Sequence, residues 1–184
     1  MSKEFFSAKV PASESSATDV LPDVADSAIR PLRDEREAEF CADFLVTSEP
    51  WVTLGLTFDM AMQRLTDSNR EVYVVMVSEQ IVGVLILSLE GTFKGYIQTI
   101  GVHPDWRCRG IGTKMIKWAE QRIFRQSPNV FLCVSSFNLH AQNLYDRLGY
   151  RRVGELTDFV VKGHSEFLMR KSRGPLRNYT PPVH

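Results

Sequence analysis

The chain has 184 residues, 43% of them hydrophobic and 24% charged, the composition of one folded domain rather than of a disordered or fibrous protein. Lysine plus arginine balances aspartate plus glutamate at 22 each, so net charge gives no support to a nucleic-acid or membrane-surface function. No run of about twenty apolar residues is present, and Met1 to Phe6 lack the apolar segment of a secretion signal, which predicts a cytoplasmic protein with no membrane partner.

Residues 7–27 are rich in Ser, Ala, Asp and Pro without a sustained period, and residues 1–27 are expected to form a disordered leader. The folded domain is expected over 28–171, opening with a short strand at 28–32. From Asp34 the chain reads as a helix, with Ala38, Cys41, Ala42 and Leu45 on one face and acids near its start, where the dipole favours them. Ser48-Glu49-Pro50-Trp51 interrupts that helix, and a second helical face follows at Phe58, Ala61, Met62 and Leu65. The period then changes. Residues 71–77 and 81–89 are β-branched runs joined at Ser78-Glu79-Gln80 as a hairpin, and after a turn at 90–95 a third strand runs from Tyr96 to Val102.

A turn fixed by Pro104 leads into a basic glycine loop and a helix, with Ile111, Met115, Ala119 and Ile123 at four-residue spacing. Gly110 and Gly112 carry no side chain, so the amides of the first helical turn are open to phosphate oxygens, and Arg107 and Arg109 add charge beside them. Arg107, Cys108, Arg109, Gly110, Ile111, Gly112 and Thr113 therefore read as a pyrophosphate cradle. Met115 stands where a dinucleotide fingerprint needs its third glycine, and Gly112-Thr113-Lys114 is the wrong order for a nucleotide phosphate loop. Cys108, between two arginines, is either a thiol of lowered pKa or a tolerated variable position. Cys41 and Cys133 are expected to be buried reduced thiols. Neither the cysteines nor His103, His140 and His164 have metal-ligand spacing, and no metal is expected.

Residues 130–134 form a buried strand, parallel to 96–102 because a helix crosses between them. Ala141, Leu144, Tyr145 and Leu148 then fall on one helical stripe, with Asn138 near its start and Gly149 ending it. Residues 150–159 and 164–169 complete the fold class, α/β (α+β): one domain with a mixed, mostly antiparallel sheet of about seven strands flanked by helices. Residues 172–184, with Gly174, Pro175, Pro181 and Pro182, are expected to be a C-terminal arm.

Val102-x-Pro104-x-x-Arg107-x-x-Gly110-x-Gly112 closely resembles the acyl-CoA-binding motif of the GNAT superfamily of N-acetyltransferases, Arg/Gln-x-x-Gly-x-Gly/Ala. Residues 138–150, Asn138 through Tyr145 to Gly149-Tyr150, resemble that family's helix-and-glycine segment after the fifth strand. The resemblance runs from about Ile29 to about Lys171 and is specific over 96–150. It implies a GNAT-like domain whose parallel fourth and fifth strands splay at a bulge near Gly101, where Ile100, Gly101 and Val102 would pair with the pantetheine arm of coenzyme A. Asn138 and Asn143 match positions that touch coenzyme A in relatives.

The implied reaction is transfer of acetyl from acetyl-CoA to a primary amine of a small molecule or a protein, by direct attack in a ternary complex. Within that resemblance the amide of Val102 stabilises the carbonyl oxygen and Tyr145 supplies the departing thiolate with a proton; otherwise Tyr145 is a core aromatic. An alkyl amine with a pKa of about 10.4 is only roughly one part in a thousand neutral at pH 7.4, so a base or a water path is also needed. The strand at 96–102 lacks the carboxylate that many relatives carry there. Gln98 is left to hold a water, and Glu49, Glu90 and His103 are the other candidates. Glu49, Trp51 and Gln98 are expected at the acceptor pocket, the alternative for the first two being a helix-capping Glu49 and a half-buried Trp51, with specificity in the loops at 49–55 and 157–165. The alternative is a coenzyme A-binding regulatory module without turnover. The final strands leave an edge through which two copies would pair as a homodimer.

Overall fold

The computed structural model describes residues 24–181. Seven strands and four helices follow in the order β1 (Ala28–Pro31), α1 (Glu35–Val46), α2 (Phe58–Leu65), β2 (Glu71–Val77), β3 (Gln80–Ser88), β4 (Tyr96–Val102), α3 (Ile111–Ile123), β5 (Asn129–Ser135), α4 (Leu139–Arg147), β6 (Arg151–Leu156) and β7 (Glu166–Ser172). They build one mixed sheet in the order β1-β2-β3-β4-β5-β7-β6, antiparallel except between β4 and β5.

Local chemistry starts each helix. Asp34 accepts from the Glu37 amide at the head of α1, Thr57 from Met60 at α2 and Asn138 from Ala141 at α4, each satisfying an amide that has no partner within its own helix. Helices α1 and α2 cover one face of the sheet, with Cys41, Leu45, Ala61 and Leu65 against Val74, Val84 and Ile86. Helix α3 covers the other, with Met115, Ile116, Ala119 and Ile123 against Val75, Leu85, Leu87 and Ile97. Successive residues of β3 thus enter opposite cores. That is why the strand is apolar throughout instead of alternating.

Two features of β4 shape the site. It pairs with β5 only through Tyr96 opposite Phe131 and Ile97 opposite Leu132, so the two parallel strands diverge beyond that point. Its register with β3 slips between Ile97 opposite Leu87 and Thr99 opposite Ile86, which makes Gln98 the extra residue of a bulge. The bulge expected near Gly101 is therefore displaced to Gln98. Gly101 is small for another reason: a Cβ there would lie 2.7 Å from Leu45 Cδ2 and 3.1 Å from Phe44, because α1 packs directly on the strand.

The ends also differ from expectation. Residues 1–23 of the expected leader and residues 182–184 lie outside the described residues. Within the expected leader, Val24–Asp26 form a short 3₁₀ turn, and the buried Ser27 accepts Lys114 Nζ at its hydroxyl, 2.8 Å away. The final strand extends to Ser172, and the segment after it is no free arm. Arg173 N–H donates to the Pro128 carbonyl at 2.8 Å, the Arg173 guanidinium lies 3.9 Å over the Phe124 ring, and the Tyr179 hydroxyl donates to the Phe124 carbonyl at 2.7 Å.

Candidate active site

The loop before α3 ends at Gly110, whose φ of 83° is left-handed backbone that a side chain would strain. Lys114 makes the first helical hydrogen bond, to the Gly110 carbonyl at 3.0 Å. Among the described residues the amides of Cys108, Arg109, Gly110, Ile111, Gly112 and Thr113 donate to no protein acceptor. Such a row of unpaired donors at a helix start, with positive dipole behind it, suits an anion. A Cβ on Gly112 would meet nothing nearer than Leu144 Cδ2 at 3.7 Å, so folding does not demand the glycine.

Side chains frame this cradle unevenly. Arg107 Nε donates to the Val102 carbonyl at 3.1 Å, tying the loop to the end of β4, and the Arg109 guanidinium stands 5.3 Å from the ring of buried Trp106. Ile111 is buried, so it brings backbone rather than side chain to the cradle, and Cys108 is exposed with φ 60°.

Strand alternation decides which amides of β4 face the gap. His103 N–H donates to the Val82 carbonyl, and in that register Gly101 faces β3 as well. Ile100 and Val102 therefore direct their N–H groups away from β3, to the side where β5 has diverged. Gly101, expected among the strand's ligand-pairing residues, turns its amide inward. Its contribution is to let α1 and Trp51 approach, Trp51 Cη2 being 3.2 Å from where its Cβ would be.

The divergence opens into a cavity of 630 Å³. Tyr96, Gln98 and Ile100 line it from β4, Cys133 and Ser135 from β5, and Asn138 and Tyr145 from the start and body of α4. Trp51, Met60 and Arg64 close the opposite wall, with Phe159 and Val160 at the loop after β6. Tyr145 packs edge-on against Tyr150 at 5.7 Å, and burial pushes its hydroxyl pKa up to about 12, keeping it a proton donor at neutral pH.

Trp51 and Gln98, expected at the acceptor pocket, both line this cavity. Gln98 is held by Arg70, which donates to its Oε1 and pairs with Asp67 at 2.9 Å. Glu49 does not line the cavity: its carboxylate accepts from the Thr53 hydroxyl at 3.0 Å and the Thr53 amide at 3.3 Å, and so serves the local turn. Asn143 is exposed on α4 and also lies outside it, whereas Asn138 both caps α4 and lines the cavity. Glu90 stands exposed on the rim. His103 stacks on Phe40 in a separate pocket, ring centroids 6.2 Å apart. Cys133 is half-buried and lines the cavity, and desolvation raises its thiol pKa.

Glu166 and Arg64 escaped the sequence reading. Glu166 is 5% exposed, sits opposite Ser135 across the β5–β7 ladder and accepts its hydroxyl at 2.6 Å. Desolvation holds its carboxyl above the ordinary carboxylate range, against the lowering effect of Ser135. Neither residue belongs to a motif; each reaches the cavity only because distant segments meet there.

The model of the acetyltransferase (GNAT) family matches residues 32–150. The chain belongs to the GNAT family. As a GNAT acetyltransferase it is similar to the S-(2-succino)cysteine N-acetyltransferase of Bacillus subtilis strain 168, 29% identical over 154 residues that cover 74% of this chain and 91% of that one. It is also 30% identical over 145 residues, 76% of this chain and 87% of the other, to the N-alpha-acetyltransferase RimI of Mycobacterium tuberculosis strain H37Rv. Its fold is shared with an aminoglycoside 6'-N-acetyltransferase complexed with coenzyme A, at a TM-score of 0.65 and 15% identity over 80% of this GNAT chain and 98% of the other.

Proposed function

We propose that this protein transfers the acetyl group of acetyl-CoA directly to a primary amine of a small molecule or a protein, both substrates being bound together. The observation that carries this reading is the run of unpaired amides at the head of α3, continuous with a gap between parallel strands that opens into a cavity. Arg107, Arg109 and the amides of 108–113 suit the pyrophosphate. The free N–H groups of Ile100 and Val102 and the side chain of Asn138 suit the amide-bearing pantetheine arm. Acetyl-CoA supplies a thioester whose acyl carbon is open to attack by an amine.

The chain's own groups meet the charges that develop. The outward amide of Val102 donates to an oxygen that becomes negative, without reorganising to do so. Tyr145 holds a proton at neutral pH and can give it to a departing thiolate. Glu166 is the cavity's buried carboxylate, and its raised pKa suits it to accept a proton from an ammonium or through water. That carboxylate weighs against a module without turnover, since it replaces the acid that β4 lacks.

A calorimetric titration of acetyl-CoA tests the cradle, beside Gly112→Trp, which adds a bulky side chain to the first turn of α3. Saturable binding in the wild type and none in the folded variant is expected. Equal binding by both would move the cofactor elsewhere. In turnover assays Tyr145→Phe is expected to lower kcat by about 10²- to 10⁴-fold with acetyl-CoA affinity retained, and unchanged kcat would remove Tyr145 from the chemistry.

A further inference from the structure

The acceptor cavity holds a charge that the fold leaves uncompensated. Arg64, one turn beyond Met60 on α2, is half-buried in the cavity wall. Among the described residues its guanidinium makes no ion pair and no hydrogen bond. The adjacent cation, Arg70, is tied to Asp67 and Gln98 and adds to the positive field instead of relieving it. A guanidinium partly withdrawn from water gains from a partner, and its planar fork pairs best with a carboxylate or phosphate.

The charged and titratable neighbours that act on Arg64 are Arg70 and Tyr96, with no acid among them, and desolvation lowers its pKa. The cavity's acids, Glu166 and Glu90, sit elsewhere on its wall, across Tyr96 or at the rim. The site is therefore polarised, basic at α2 and acidic at β7, with Trp51, Leu56 and Met60 making the wall on the Arg64 side apolar. A ligand complementary to it carries an amine and an acid on a small apolar frame. At 630 Å³ the cavity lies within the range of roughly 300–1,000 Å³ usual for small-molecule sites.

Resting on the N-acetyltransferase reading above, we propose that the acceptor is a free amino acid or a close derivative, and that Arg64 binds its carboxylate while the amine faces the splayed strands. Arg64 is then a specificity residue that touches the acceptor and leaves the acyl chemistry to β4 and α4.

The test measures acetyl-CoA consumption with the free common amino acids, the corresponding amino acid amides and the decarboxylated amines, for wild type and Arg64→Gln. Folding and acetyl-CoA binding of both proteins are checked by circular dichroism and calorimetry. At least one free amino acid is expected to exceed its amide by about tenfold or more in kcat/KM. Arg64→Gln should lower that value by about 10- to 100-fold, the size of a lost charge-assisted hydrogen bond, mainly through KM, while the amide changes less than about threefold. The proposal is overturned if amides or plain amines match the free acids, if only peptides or polyamines react, if nothing in the panel reacts although acetyl-CoA binds, or if Arg64→Gln lowers every acceptor alike. Failure of acetyl-CoA to bind the folded wild type overturns the underlying reading instead.

Discussion

Glu166 carries the sharpest residue-scale consequence, because under the proposed mechanism one buried carboxylate would link activity and stability to pH. Burial raises its pKa, and Tyr96, Cys133, Ser135 and His164 are the titratable or hydrogen-bonding groups around it. If it accepts the proton, kcat/KM rises with pH through a limb above the ordinary carboxylate range. Glu166→Gln should remove that limb and lower kcat by about 10²- to 10⁴-fold. Ser135→Ala, by deleting the hydrogen bond that favours the ionised form, should shift the limb upward. The sign for stability is the reverse of a paired carboxylate: a raised folded pKa means that wild-type stability is lost as pH rises through it. Glu166→Gln is therefore expected to melt higher than wild type at pH 8, with the advantage fading as pH falls, in thermal scans across pH. A pH-independent difference would count against an ionised Glu166.

At the scale of elements, the close approach of α1 to β4 sets the shape of the cavity beside Trp51. Gly101→Ala would place a Cβ 2.7 Å from Leu45 Cδ2. An overpacking cost of about 1–3 kcal/mol is expected in urea unfolding, with the cavity mouth altered because Trp51 also rests there. A cost below about 0.5 kcal/mol would show that α1 yields easily. The elements themselves were legible for local reasons. The helix starts at Asp34 and Asn138 and the apolar period of α3 are written within a few residues, and the β2–β3 hairpin announces itself by its turn. The Gly101 bulge was misplaced because a glycine in a strand reports either a bulge or a close neighbour, and the neighbour is distant in sequence.

At the scale of the molecule, the sheet is one surface with a cleft held open in its middle, and ties between remote segments keep it so. Lys171 of β7 reaches Glu120 of α3 at 2.6 Å, and Glu120 is only 8% exposed. Lys171→Ala strands that carboxylate without a counter-charge, and a loss of about 1–3 kcal/mol is expected in denaturant unfolding, with Lys171→Ala/Glu120→Gln recovering part of it. An additive double variant would show the pair to be uncoupled. By itself the sequence determined the fold class, the strand and helix order and the glycine-rich cradle, because propensity, capping, periodicity and loop spacing act over a few residues. Tertiary structure alone decided that Glu49 serves its own turn, that Asn143 faces solvent, that Gly101 turns its amide away from the cleft, and that Glu166 and Arg64 stand in the cavity. Those outcomes depend on register and on packing between segments far apart in the chain, and a one-residue slip or a few ångströms of approach changes which group meets the substrate.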